Sequence, residues 1–116
     1  MTATARARPP RTAQAANVFA ALGDSTRLAL VNALSDGSRR SIAQLSAGHP
    51  VSRQAITKHL RVLEGARIVR QERAGRERLF ALDPAPIEDV RRYIDWVSRQ
   101  WDARLARLRT LVEAQA

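Results

Sequence analysis

The sequence has no cysteine, so disulfides, thiolate zinc sites and thiol redox switching are excluded. No apolar run approaches the roughly 20 residues needed to span a bilayer. Arg6, Arg8 and Arg11 have no apolar segment beside them that would make a secretory signal. A soluble, cytoplasmic protein with no membrane partner is the expectation. The inventory for catalysis is equally thin, with no glycine-rich phosphate loop and no Ser, His and acid in a recognisable order or spacing. Neither enzymatic chemistry nor a cofactor is expected. Aromatics make up 4% of the chain. Phe19, Phe80, Tyr93, Trp96 and Trp101 all fall on expected core or interface positions, which leaves no stacking platform for unpaired bases and argues against RNA. His49 and His59 are the only histidines; without converging partners they make no metal site.

Acids are also scarce, 11 against 20 Lys and Arg for a net charge of +9 in 116 residues. The excess is localised. Residues 1–12 carry three Arg and no acid, while residues 39–78 carry nine Arg and one Lys against Glu64, Glu72 and Glu77. Residues 13–38 are slightly acidic and residues 79–116 balance. Charge concentrated in this way is the footprint of a polyanion binder. The first 12 residues, small, basic and proline-containing, read as a flexible arm, either a solvated tail or a segment that touches phosphate or the minor groove.

From Ala13 the pattern is helical. Ala15, Val18, Phe19 and Leu22 share a stripe that Gly23 ends; Asp24 or Ser25 caps a second helix whose stripe is Leu28, Val31 and Leu34. Ser41 and Gln44 stand in capping-box relation at the head of a short third helix that Gly48 terminates. Ser52 is a natural N-cap for a fourth, with Val51 and Ile56 at hydrophobic-staple spacing. Ala55, Ile56, Leu60 and Leu63 mark its buried side, and Gly65 is read as its end. Ile68 to Arg73, a turn over residues 74–77, and Arg78 to Leu82 then form a basic hairpin. Asp83-Pro84 opens a long final helix to about Glu113.

In that helix Ile87, Ile94, Trp101 and Leu108 recur every seven residues with Val90, Val97 and Leu111 as companions, and Arg104 interrupts the seam. A helix roughly 40 Å long exceeds what so small a domain can cover. Its apolar side is therefore expected to meet another copy, with Val18 of the first helix and Ile87, Val90, Ile94, Val97, Trp101, Leu105 and Leu108 of the last at a two-fold interface. Trp96 and Trp101 are read as interface filler in preference to the lining of an effector pocket. The expected organisation is an arm over residues 1–12, a DNA-binding unit over 13–83 and a dimerisation helix over 84–116 of the same domain.

A short helix, turn, longer helix and basic hairpin is the layout of a winged helix-turn-helix, mainly α with a small β wing, in which the second helix of the pair enters the major groove. Double-stranded DNA is the expected partner. Arg53, Gln54, Thr57 and Lys58 are assigned to base edges, because the N-terminal half of such a helix enters most deeply; Arg61, Arg73, Arg76 and Arg78 are assigned mainly to phosphate. A non-specific architectural protein, or an RNA binder, is the alternative.

Three stretches carry a family resemblance: Leu22-Gly23-Asp24-Ser25-Thr26-Arg27-Leu28; Ala55 to Leu63, reading AITKHLRVL; and Gly65-Ala66-Arg67-Ile68-Val69, followed by Gly75-Arg76 in the hairpin turn. Over about residues 15–83 the chain resembles the ArsR-type, arsenic-repressor-like winged-helix regulators. The resemblance implies a homodimeric bacterial repressor that binds an inverted repeat and releases it when an effector, unidentified here, is bound. It also shows a departure. The Cys-x-Cys of metal-sensing members aligns with Ser41 and Ala43, and the final helix has no histidine for the other common site. Metal sensing by those routes is excluded.

Overall fold

A computed structural model describes residues 12–115. The expected arm lies outside the described residues except for Thr12, which already belongs to the first helix. The described residues run α1 (Thr12–Leu22), α2 (Ser25–Leu34), α3 (Ile42–Ser46), α4 (Arg53–Gly65), β1 (Val69–Ala74), β2 (Glu77–Leu82) and α5 (Pro84–Gln115).

The helix starts follow the capping residues. The Asp24 carboxylate accepts the Arg27 N–H at 3.0 Å and caps α2. Ser41 and Gln44 close the full capping box on α3. Ser52 accepts the Ala55 N–H and caps α4, and Val51 packs against the same core as Ile56. Asp83 accepts the Ala85 N–H at the head of α5, where Pro84 has no N–H to leave unsatisfied.

One apolar core joins these elements. Val18 of α1, Leu30 and Leu34 of α2, Ile56, Leu60 and Leu63 of α4, and Ile68 are at most 1% exposed, and no polar or charged residue among the described ones is buried with them. Two expected core residues lie elsewhere. Leu28 is 46% exposed because α2 turns Leu30 and Leu34 inward, and Phe19 is 42% exposed. The small Ala15 and Ala21 take the inner positions of α1, and Phe19 meets Tyr93 of α5 edge to face at 6.1 Å.

The hairpin pairs Val69 with Leu82 through to Ala74 with Glu77. The turn is thus the two residues Gly75-Arg76, not four. Gly75 has φ +64° while Arg76 does not have positive φ, the pattern of a turn that needs glycine at its first central position. Arg40 pairs with the free edge of β2, exchanging both backbone hydrogen bonds with Phe80 at 3.0 and 2.7 Å.

Gly65 is the last residue of α4, as the sequence reading has it, but it is not the residue that takes the left-handed turn. Ala66 is the C-cap, and Arg67 takes the left-handed conformation at φ 62°. Arg67 N–H reaches the Glu64 carbonyl and Ile68 N–H the Leu63 carbonyl, both at 2.9 Å. This is a Schellman ending, with Ile68 packed beside Leu63 and an arginine where glycine is usual.

The long helix is anchored only in its first third. Val90 is buried at 7% and Ile87 packs half-buried on the core. Beyond Tyr93, Trp96 and Val97, which are half-buried, every residue of α5 is exposed, including Trp101, Leu105, Leu108, Leu111 and Val112. Here the structure corrects two of the interface positions. Val18 is fully buried in its own chain and Val90 nearly so, so neither is available to a second copy. The seam beyond the anchor runs through exposed Ile94, half-buried Val97 and exposed Trp101, Leu105, Leu108 and Val112, passing beside Arg104 through Leu105. No helix among the described residues is long and apolar enough to cross a membrane.

Candidate nucleic-acid interface

Ile56, Leu60 and Leu63 hold the inner side of α4. At 100° per residue, Gln54, Lys58 and Arg61 then fall on the opposite side, and all three are exposed. Arg53, the first helical residue, is exposed beside them, and Thr57 is half-buried on the flank. The Thr57 hydroxyl donates to the Arg53 carbonyl at 2.9 Å, so its one proton is used within the helix and its methyl and lone pairs remain.

The hairpin register divides the wing into two faces of different charge. Directly opposed residues share a face and neighbours along a strand alternate. One face therefore carries Val69, Gln71 and Arg73 with Leu82, Phe80 and Arg78; the other carries Arg70, Glu72 and Ala74 with Ala81, Leu79 and Glu77. Both acids of the strands lie on the second face. The first face rests its apolar base on the core and ends in Arg73 opposite Arg78, two like charges that repel across the strands. Gln71 on this face donates to Glu64 at 2.8 Å and ties the wing to the end of α4.

Ion pairing follows the same division. Glu72 holds Arg39 at 2.8 Å and Arg70 at 3.2 Å, and Asp36 holds Arg40 at 3.3 Å. Arg53, Lys58, Arg61, Arg73, Arg76 and Arg78 make none of the ion pairs found among the described residues. The structure thus brings the α4 candidates together on one helix face and Arg73 and Arg78 together on one wing face, with Arg76 in the turn between them. Arg99, Arg104 and Arg107 also make none of the ion pairs found among the described residues and lie apart from this region, on the long helix α5.

Sequence reasoning missed one constellation. Arg27, at the start of α2, donates through its guanidinium to the Ala21 carbonyl and to the Ala20 carbonyl at 3.4 Å. A third nitrogen lies 3.2 Å from Nδ1 of His59 on α4. The Asp24 carboxylate is 3.7 Å from that same Nδ1. The Arg27 N–H holds Asp24 below the usual carboxylate range; desolvation opposes it, and the nearby Arg27 charge adds to the lowering. The signal was the i, i+3 pair Asp24 and Arg27 beside a helix end, which spacing alone does not connect to His59.

At the position of the missing thiolates, the Ser41 hydroxyl is engaged in the capping box and Ala43 carries no donor atom. These residues do not fit a soft metal ion.

The sequence profile described as bacterial regulatory protein, arsR family, matches residues 24–71, from the cap of α2 into the wing. The chain is 36% identical over 95 residues to the HTH-type transcriptional regulator Rv2034 of Mycobacterium tuberculosis, covering 82% of this chain and 85% of that one. Among solved structures it resembles an ArsR-like transcriptional regulator from Rhodococcus sp. RHA1, with TM-score 0.76, 36% identity, and coverage of 85% of this chain and 92% of the other. A homodimeric winged helix-turn-helix DNA-binding domain from Mycobacterium bovis shares the fold, with TM-score 0.58 at 22% identity over 80% of this chain and 82% of that one. The capped reading helix, the wing and this similarity along most of both chains agree: the protein belongs to the arsR family of bacterial regulatory proteins.

Proposed function

We propose that the chain is a homodimeric transcriptional regulator of the bacterial cytoplasm, a repressor that binds an inverted repeat in double-stranded DNA. The observation that carries this reading is the sorting of the cations. Those on the outer side of α4, the core-side face of the wing and its turn are unpaired, whereas Glu72 and Asp36 neutralise their neighbours. Arg53, Gln54, Thr57 and Lys58 approach base edges, Gln54 pairing bidentately with adenine and Arg53 with guanine, while the Thr57 methyl suits a thymine methyl. Arg61, Arg73, Arg76 and Arg78 hold phosphate.

The second copy packs on the exposed seam of α5, using Ile94, Val97, Trp101, Leu105 and Leu108. Two reading helices then enter successive major grooves about one helical turn apart. The Mycobacterium bovis domain, described as homodimeric, supports this arrangement by analogy. The test is selection of bound sequences from random duplex with the full chain. A repeated half-site with two-fold symmetry is expected, preferred over random duplex by roughly a thousandfold or more. An unenriched pool would identify an architectural, non-specific binder instead.

A further inference from the structure

None of the contacts assigned above uses the polar cluster where α1, α2 and α4 meet. Arg27 sits at its centre. Its guanidinium bonds the Ala20 and Ala21 carbonyls, which belong to the last turn of α1 where intrahelical N–H donors run out. Ala20 also receives the Gly23 N–H at 3.3 Å, so the Arg27 bond to Ala21 is the stronger need. The remaining nitrogen faces His59 of α4. Arginine keeps its protons at any ordinary pH. Across this 3.2 Å contact the guanidinium is the donor and Nδ1 of His59 faces it as the acceptor. Asp24 fixes the other end by taking the Arg27 backbone N–H.

Arg27 is thus bonded to two bodies with different tasks. α1 packs along α5, the helix whose seam joins the copies, and α4 carries the base-reading side chains. The burial of Ile56, Leu60 and Leu63 keeps α4 on the core, but apolar contact has no direction. A hydrogen bond to a planar guanidinium has one, and it penalises rotation of α4 about its own axis. In a symmetric dimer, the separation and tilt of the two reading helices repeat whatever relation each α4 has to its own α1–α5 unit.

We propose that Arg27 is a positioning residue that, through His59 and the α1 carbonyls, fixes the reading helix against the dimerisation unit and so sets the half-site spacing the protein accepts. The proposal rests on the homodimeric DNA-reading function above.

The test compares the full-length wild type with His59→Asn, His59→Leu and Arg27→Lys. Asparagine places an acceptor where Nδ1 stands, leucine keeps the bulk and removes it, and lysine keeps the charge but cannot form the three-way fork. Each is titrated with the selected operator, with the same operator lengthened or shortened by one base pair between half-sites, and with random duplex. Wild type and His59→Asn are expected to discriminate between spacings equally. His59→Leu and Arg27→Lys are expected to lose about tenfold of that discrimination, the size of one charge-assisted hydrogen bond, with affinity for random duplex unchanged. Wild-type spacing discrimination in His59→Leu overturns the proposal, and so does a His59→Asn variant as impaired as His59→Leu. Should Arg27→Lys fail to fold, the two His59 variants still decide the matter. A wild type that shows no operator preference at all defeats the underlying DNA reading, and that result is visible before any variant is compared.

Discussion

Arg70 and Arg78 stand on adjacent strands of the same hairpin and are both exposed, yet replacing each with alanine has different consequences. The net charge changes equally, from +9 to +8 per chain. Arg78 lies unpaired on the face shared with Arg73, whereas Arg70 lies on the opposite face with its guanidinium on Glu72. In the proposed dimer, with Arg61, Arg73, Arg76 and Arg78 of each copy on phosphate, about eight phosphates would be neutralised. The slope of log K against log salt is then about −7. Arg78→Ala removes two of those contacts per dimer and brings the slope to about −5. Between 50 and 200 mM salt, wild-type affinity accordingly falls about tenfold further than that of the variant. Arg70→Ala leaves the slope within about half a unit of wild type. Fluorescence anisotropy on a labelled random duplex across a salt series measures both. Arg78→Ala also relieves the repulsion with Arg73, so its melting temperature is unchanged or higher and unfolding cannot mimic the loss. Equal slopes for the two variants would show that overall charge governs binding and that the wing has no preferred face.

Three other outcomes follow from the geometry. Arg67 in the left-handed region costs roughly 1–2 kcal/mol, and glycine there gives back about 0.5–1 kcal/mol in unfolded-state entropy. Arg67→Gly is therefore expected to raise stability by about 0.5–1 kcal/mol in urea titration at unchanged m, and a lower midpoint contradicts the Schellman assignment. Asp24 is held below its ordinary value of 3.8, so the folded state binds its proton less readily than the unfolded state. Its contribution is complete above that value and is lost as pH falls through the lowered folded one. Asp24→Asn keeps a good N-cap and removes the charge, so its melting temperature should vary less with pH in that acid range; parallel curves would remove Asp24 from the acid response. Leu108→Asp places a charge on the exposed seam and is expected to convert the proposed dimer to monomer in sedimentation velocity without altering the circular dichroism per chain. A variant that stays dimeric moves the interface off α5.

What the sequence made legible was chiefly what neighbouring residues decide among themselves. Ser52 with Val51 and Ile56, and Ser41 with Gln44, specify helix starts within a few residues, and the structure has both. The hairpin itself was equally local, flagged by Gly75, although its turn spans two residues and not four, and the register that sets Arg73 opposite Arg78 came only with the structure. Errors came where a local rule had two solutions. Gly65 does end α4, yet Arg67 and not the glycine takes the left-handed position, where its N–H and that of Ile68 satisfy the Glu64 and Leu63 carbonyls. Leu28 and Leu30 both suit a helical stripe, and only the placement of α4 and β2 selects Leu30. Val18 was read as an interface residue, and nothing local to it says that α1 turns this side chain wholly into the core of its own chain. Arg27 and His59 are 32 residues apart, and no periodicity connects them.

The exposed seam of α5 has a consequence for whatever lies against it. From Ile94 to Val112 its apolar positions are spaced by three and four residues so that eighteen residues complete about five turns at the natural 3.6 per turn. A strict seven-residue repeat would drift around the helix and oblige two partners to wind about each other. Ile94, Trp101 and Leu108 keep that repeat with Leu111 beside them, while Leu105 and Val112 broaden the seam along the axis, so a second copy seated there in the proposed dimer would wind only gently about it. In that proposed dimer, a leucine zipper grafted in place of residues 94–115 would preserve pairing but wind the helices more tightly and turn the two heads away from their bearing.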